Sequence, residues 1–125
     1  MQHYDVFVYG TLRKGGTNHH YLSDAFCLQN DVWLPGYRLY DFQNAYPFML
    51  PAPTNSEKVR GEIYRVNESI LEMLNILEDI ENDLYKLVYM STQQCYTYLK
   101  FDTEVGDMKL IRSGDWITYS RKFES

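Results

Sequence analysis

The stretch Tyr4-Asp-Val-Phe-Val-Tyr-Gly-Thr-Leu-Arg-Lys-Gly-Gly16 decides how the rest of the chain is read. Val6, Phe7, Val8 and Tyr9 form a β-branched and aromatic run without a polar break, the pattern of a buried strand. At Gly10 the run gives way to a small, polar, glycine-spaced loop reaching Asn18. Glycine allows a sharp turn and lets another molecule approach bare amides. A buried strand feeding such a loop can present N–H groups to an anionic ligand. Gly10, Gly15, Gly16 and Thr17 come near a phosphate-binding loop. That motif, however, needs lysine directly after its second glycine, where this chain has Gly16. Only one glycine precedes Gly15, so the dinucleotide fingerprint fails as well.

Composition narrows the class. With 125 residues the chain suits one domain, 1–125, with a core of its own. A hydrophobic content of 45% argues against disorder, and the twelve tyrosines favour strands. The net charge of −5 speaks against a nucleic-acid partner. Cys27 and Cys95 are too few for a disulfide framework and fit a reducing cytoplasm; both read as buried packing residues. The opening residues lack the basic and apolar regions of a signal peptide. No stretch reaches the ~18 apolar residues of a membrane helix.

Farther along, Asn18 to Leu22 reads as a short capped helix. His19 and His20 point to different faces, which makes them a poor metal pair. Ala25 to Tyr40 is extended and broken at Pro35-Gly36, and Asp41 to Tyr46 is a turn. The prolines of 47–53 exclude a central strand there. Thr54 to Lys58 is a polar loop and Val59 to Val66 a strand. Asn67 caps the one long helix, whose apolar stripe is Ile70, Met73, Leu74, Leu77 and Ile80 and whose end falls between Glu78 and Asn82. Leu84–Ser91 and Gln94–Phe101 read as a hairpin. Val105–Arg112 reads as a last strand after a turn at Glu104–Asp107, and Ser113 to Trp116 as a turn with an apolar anchor. Six or so aromatic-rich strands with one main helix indicate an α+β fold, a small mixed β-barrel with the helix packed against it.

Glu78, Asp79, Glu81 and Asp83 crowd the negative end of the helix dipole, where each costs about 0.3–1 kcal/mol. Dipole and mutual repulsion both raise carboxylate pKa values, and a raised carboxylate can serve as a general base near neutrality. Helical spacing puts Asp79 toward water and Glu78 at the edge of the apolar stripe, half-buried; Glu81 is the second candidate. A solvated acidic face is the alternative.

Two features together resemble the γ-glutamylcyclotransferase-like superfamily, which includes the γ-glutamylamine cyclotransferases and AIG2-like proteins. One is Val8-Tyr-Gly-Thr-Leu-Arg-Lys-Gly15. The other is the helix end Leu74-Asn-Ile-Leu-Glu78 followed by Tyr85, with Val59-Arg-Gly-Glu-Ile-Tyr64 similar to the strand that precedes this helix in relatives. The resemblance implies a small mixed barrel and an intramolecular reaction in which the α-amino group of a γ-glutamyl substrate attacks its own γ-carbonyl. The products are 5-oxoproline and an amine or amino acid, formed without metal, cofactor or covalent intermediate. It assigns the acid/base role to Glu78, holding of the γ-glutamyl moiety to the loop Tyr9, Gly10, Thr11 and Leu12, and a place near the site to Tyr85. Arg13 and Lys14 either solvate the loop or steer an anionic substrate. Asn75, Asp79 and Leu87 depart from the aspartate, glycine and arginine that relatives often carry. Alternatives are a non-catalytic small-ligand module on the same fold, and a tailoring enzyme that removes a γ-glutamyl protecting group.

Overall fold

The computed structural model describes residues 2–82, 84–100, 106 and 108–121. Eight strands and two helices are formed among them. They are β1 (His3–Val8), β2 (Phe26–Pro35), β3 (Tyr37–Phe42), β4 (Tyr46–Pro51), β5 (Lys58–Asn67), α1 (Glu68–Leu77), β6 (Lys86–Met90), β7 (Cys95–Leu99), β8 (Lys109–Ile111) and α2 (Trp116–Ser120). Short 3-10 turns occupy His19–Leu22 and Ile80–Asn82.

The strands make two open sheets, not the closed barrel expected. One has the order β2-β5-β1-β7-β6, the other β4-β3-β8, and among the described residues no ladder joins them. The chain leaves the first sheet at Pro35-Gly36, where Gly36 has φ +85, and Tyr37 opens the second. Prolines and bulges explain why the edges stay open. Pro47 and Pro51 withhold donors from edge strand β4, and register shifts interrupt edge strand β2 between Cys27 and Gln29 and between Gln29 and Val32.

β1 sits in the middle of the larger sheet, antiparallel to β5 and parallel to β7. Val6 and Val8 join one hydrophobic cluster with Leu71 and Leu74 of α1. Phe7 and Tyr9 join another with Leu39 and Met49 of the second sheet. With both faces of β1 covered, its sequence has no polar alternation.

Asn67 caps α1 as expected, its side chain accepting from the Ile70 amide at 2.8 Å. Leu71 and Leu74 are buried, but Met73 is 46% and Ile76 79% exposed, so the apolar stripe is narrower than the spacing suggested. Cys95 is buried, whereas Cys27 lies exposed on β2, contrary to its reading as a core residue. The β6–β7 hairpin forms as expected, turning at Gln94 with φ 56. Trp116 is buried and begins α2, a helix the sequence reading gave only as a turn. Asp83, Phe101 and the turn at 104–107, apart from Gly106, lie outside the described residues. No described helix is long and apolar enough to cross a membrane.

Candidate active site

A cavity of about 280 Å³ opens where the end of β1, the start of β4 and the end of α1 meet. It collects Tyr9, Gly10, Thr11, Leu12, Glu78 and Tyr85, every site residue expected from the sequence. Asn18, the end of the expected ligand loop, also lines it, as do Tyr46, Pro47 and Tyr98, which sequence reasoning missed. These three come from the start of β4 and from β7, far apart in the chain and without a motif of their own.

The glycine-spaced loop holds its shape through internal bonds. The Arg13 amide donates to Gly10 O at 3.1 Å, Gly16 to Arg13 O at 2.7 Å and Asn18 to Thr11 O at 2.8 Å. A Cβ on Gly16 would lie 2.3 Å from Thr11 O, so the position that breaks the phosphate-loop motif requires glycine for this fold-back. A Cβ on Gly10 would meet the Pro47 ring at 2.8 Å, and the absence of one lets the loop lie against β4. The amides of Gly10, Thr11 and Leu12 find no acceptor among the described residues.

Arg13 fastens this loop from behind. It is buried, with Nε donating to Glu62 Oε2 of β5 and Nη1 to Asp115 Oδ1 at the start of α2. Asp115 is partly desolvated, but the Thr118 amide and Arg13 more than offset this and hold its carboxyl below the usual range. Arg13 therefore neither solvates the loop nor faces a ligand. Lys14 is exposed, and its amide bonds Glu62 Oε1. His19 contacts Leu12 O at 3.0 Å and packs against the Tyr64 ring, bracing the loop on its other side.

Glu78 follows the last turn of α1, its amide still bonded to Leu74 O. Asp79 then adopts the left-handed conformation, φ 54. That is the glycine-favouring position after a helix, occupied here by an aspartate. The turn sends the Glu78 side chain into the cavity, where its carboxyl has no hydrogen-bond or ion-pair partner among the described residues. Burial pushes its pKa up to about 7. The cause is desolvation, not the dipole and crowding expected from the sequence. Glu81 is exposed on the 3-10 turn and does not line the cavity.

Three tyrosine hydroxyls near Glu78 are committed to the protein. Tyr9 donates to Tyr98 O at 2.5 Å, Tyr85 to Pro47 O at 2.7 Å and Tyr98 to Asn75 Oδ1 at 2.7 Å. Burial first raises all three phenols above their usual range; the Glu78 charge comes next for Tyr9 and Tyr98, and for Tyr85 it follows Tyr9. The cavity is thus lined by a loop whose amides find no acceptor among the described residues, by aromatic side chains and by one carboxylate.

Comparison with known proteins shows the family. Residues 6–118 match the family model "Gamma-glutamyl cyclotransferase, AIG2-like". A Vibrio cholerae protein named "Putative gamma-glutamylcyclotransferase" is 39% identical over 117 residues, covering 93% of this chain and 96% of its own. The solution structure of Escherichia coli YtfP superposes with a TM-score of 0.68 at 32% identity, over 92% of this chain and 97% of that one. The γ-L-glutamyl-butirosin B γ-glutamyl cyclotransferase of Niallia circulans is 39% identical over 75 residues, 60% of this chain and 46% of that relative. The chain belongs to the γ-glutamyl cyclotransferase, AIG2-like family.

Proposed function

We propose that this chain cyclises a γ-glutamyl conjugate to 5-oxoproline and releases the amine, with Glu78 as acid/base. The observation that carries the reading is the Glu78 carboxyl, unpartnered among the described residues, raised to about 7 and lining the same cavity as the loop whose amides find no acceptor there. The Niallia relative, named for removing a γ-glutamyl group from butirosin B, supports the reaction type.

An α-ammonium group is inert as a nucleophile, so a base must first take its proton; a carboxylate of pKa near 7 does this and can return the proton. The freed nitrogen attacks the γ-carbonyl carbon, and the carbonyl oxygen gains negative charge. In this reading the Gly10, Thr11 and Leu12 amides hold the substrate carboxylate or that oxygen. As the oxygen charge returns, the bond to the leaving nitrogen breaks. Two protons leave the original α-ammonium and two reach the leaving nitrogen, the first carried by Glu78, and no water is consumed. Tyr9 and Tyr85 shape the wall against which the substrate folds on itself, and such positioning supplies much of the rate.

The test is 5-oxoproline release from a panel of γ-glutamyl amides and dipeptides by the parent and by Glu78→Gln. Turnover by the parent and a loss of at least ~10²-fold in the variant is expected for a general acid/base. Equal turnover by both would remove Glu78 from the mechanism. Binding without turnover by the parent would favour a non-catalytic ligand module.

A further inference from the structure

Three phenols feel the charge of Glu78, and none of their protons is spent on it. Tyr9, just after β1, donates to a backbone carbonyl, Tyr98 O, and Tyr85 donates to another, Pro47 O. Tyr98 of β7 is different: its hydroxyl donates to a side chain, Asn75 Oδ1, at 2.7 Å. We propose that Asn75 is a positioning residue that holds the Tyr98 proton off Glu78 and so keeps the cavity carboxylate bare. The inference rests on the cyclotransferase reading and adds a residue to it.

Helix geometry sets the separation. Asn75 lies in the last turn of α1, three residues before Glu78, and residues so spaced are neighbours on one side of a helix, about 5–6 Å apart at Cβ. A phenol bonded to Asn75 therefore stands beside Glu78, and Tyr98 and Glu78 line the same cavity. A buried hydroxyl that loses its acceptor must find another, and a carboxylate is the strongest acceptor within a turn. Such a bond would favour the charged form of Glu78. As the protein stands, burial raises the Glu78 pKa with no hydrogen bond opposing it. Tyr46, from β4, makes no bond to it either, and among the described residues no lysine, arginine or histidine lines the cavity. Asn75 thus does for Tyr98 what two backbone carbonyls do for Tyr9 and Tyr85.

The test titrates the Glu78 carboxyl by carbon-detected NMR and follows 5-oxoproline release from a γ-glutamyl amide over pH. Alanine keeps α1 helical. In Asn75→Ala the freed hydroxyl should turn to Glu78, lowering its midpoint by at least about one pH unit, with the acid limb of kcat/KM following. Asn75→Asp keeps the acceptor and adds a charge one turn away, so its midpoint should rise instead. Tyr98→Phe has no proton to misdirect and should titrate as the parent does. Asn75→Ala combined with Tyr98→Phe should return to the parent's midpoint, which a merely loosened helix end would not do. An unmoved midpoint in Asn75→Ala, one that does not rise in Asn75→Asp, or one that stays low in the double variant overturns the inference. A parent that releases no 5-oxoproline overturns the reaction reading alone, because the NMR midpoints decide the role of Asn75 without turnover.

Discussion

Arg13 donates to Glu62 across 2.5 Å inside the protein, with both side chains buried. The contact joins the loop after β1 to β5, and Asp115 extends it to α2. It fixes a segment that begins directly after the three free amides of the cavity.

Removing the cation should therefore damage fold and site together. Arg13→Met leaves Glu62 and Asp115 with less compensation in a buried setting, and a loss of about 3–5 kcal/mol is expected in urea unfolding. Arg60, which also reaches Asp115 at 3.2 Å, is too exposed to replace it. Arg13→Lys should recover only part of the loss, because one ammonium cannot reproduce the two-nitrogen fork.

Glu78 should make stability fall with rising pH. Its folded pKa is about 7 against an ordinary 4.5, so between these values the folded state holds a proton that the unfolded state has lost. The contribution is fully present below about pH 4.5 and is lost as pH rises through 7, amounting in full to roughly 3 kcal/mol. Glu78→Gln removes this dependence and should be the more stable protein at pH 8. Parallel melting curves at pH 5 and pH 8 measure the effect.

Gly10→Ala should open the cavity. The new methyl would meet a rigid proline ring at 2.8 Å, so the loop must withdraw from Pro47. A cost of about 1–3 kcal/mol is expected. KM should rise more than kcat falls, because substrate positioning is lost while Glu78 stays in place; steady-state kinetics resolve the two.

Gln94→Gly should stabilise the protein. Gln94 is exposed in the β6–β7 turn at φ 56, where a side chain other than glycine costs about 1 kcal/mol. A gain of roughly 0.5–1 kcal/mol is expected from denaturant unfolding, somewhat reduced by the greater freedom of glycine in the unfolded chain.

Local signals were legible in the sequence. The unbroken run Val6–Tyr9 marked a buried strand, Asn67 the start of the main helix, and helical spacing singled out Glu78 over Glu81. What stayed hidden was set by distance in the chain. Tyr98 meets Asn75, and Tyr85 meets Pro47, through contacts that no periodicity encodes. Arg13 read as a surface residue because its two carboxylate partners lie 49 and 102 positions away. The barrel failed for a related reason: aromatic content favours strands but does not say whether the last edges pair. The raised pKa of Glu78 was expected from its acidic neighbours, whereas burial produces it, since which charges are desolvated is fixed only once the fold is complete.

The most direct measurement is the titration of the Glu78 side-chain carboxyl by carbon-detected NMR, with the resonance assigned by its absence in Glu78→Gln. A midpoint near 7, coinciding with the acid limb of kcat/KM for 5-oxoproline release, is the expected result. A midpoint in the ordinary carboxylate range, or an activity limb that ignores it, would contradict a burial-tuned Glu78 as the acid/base.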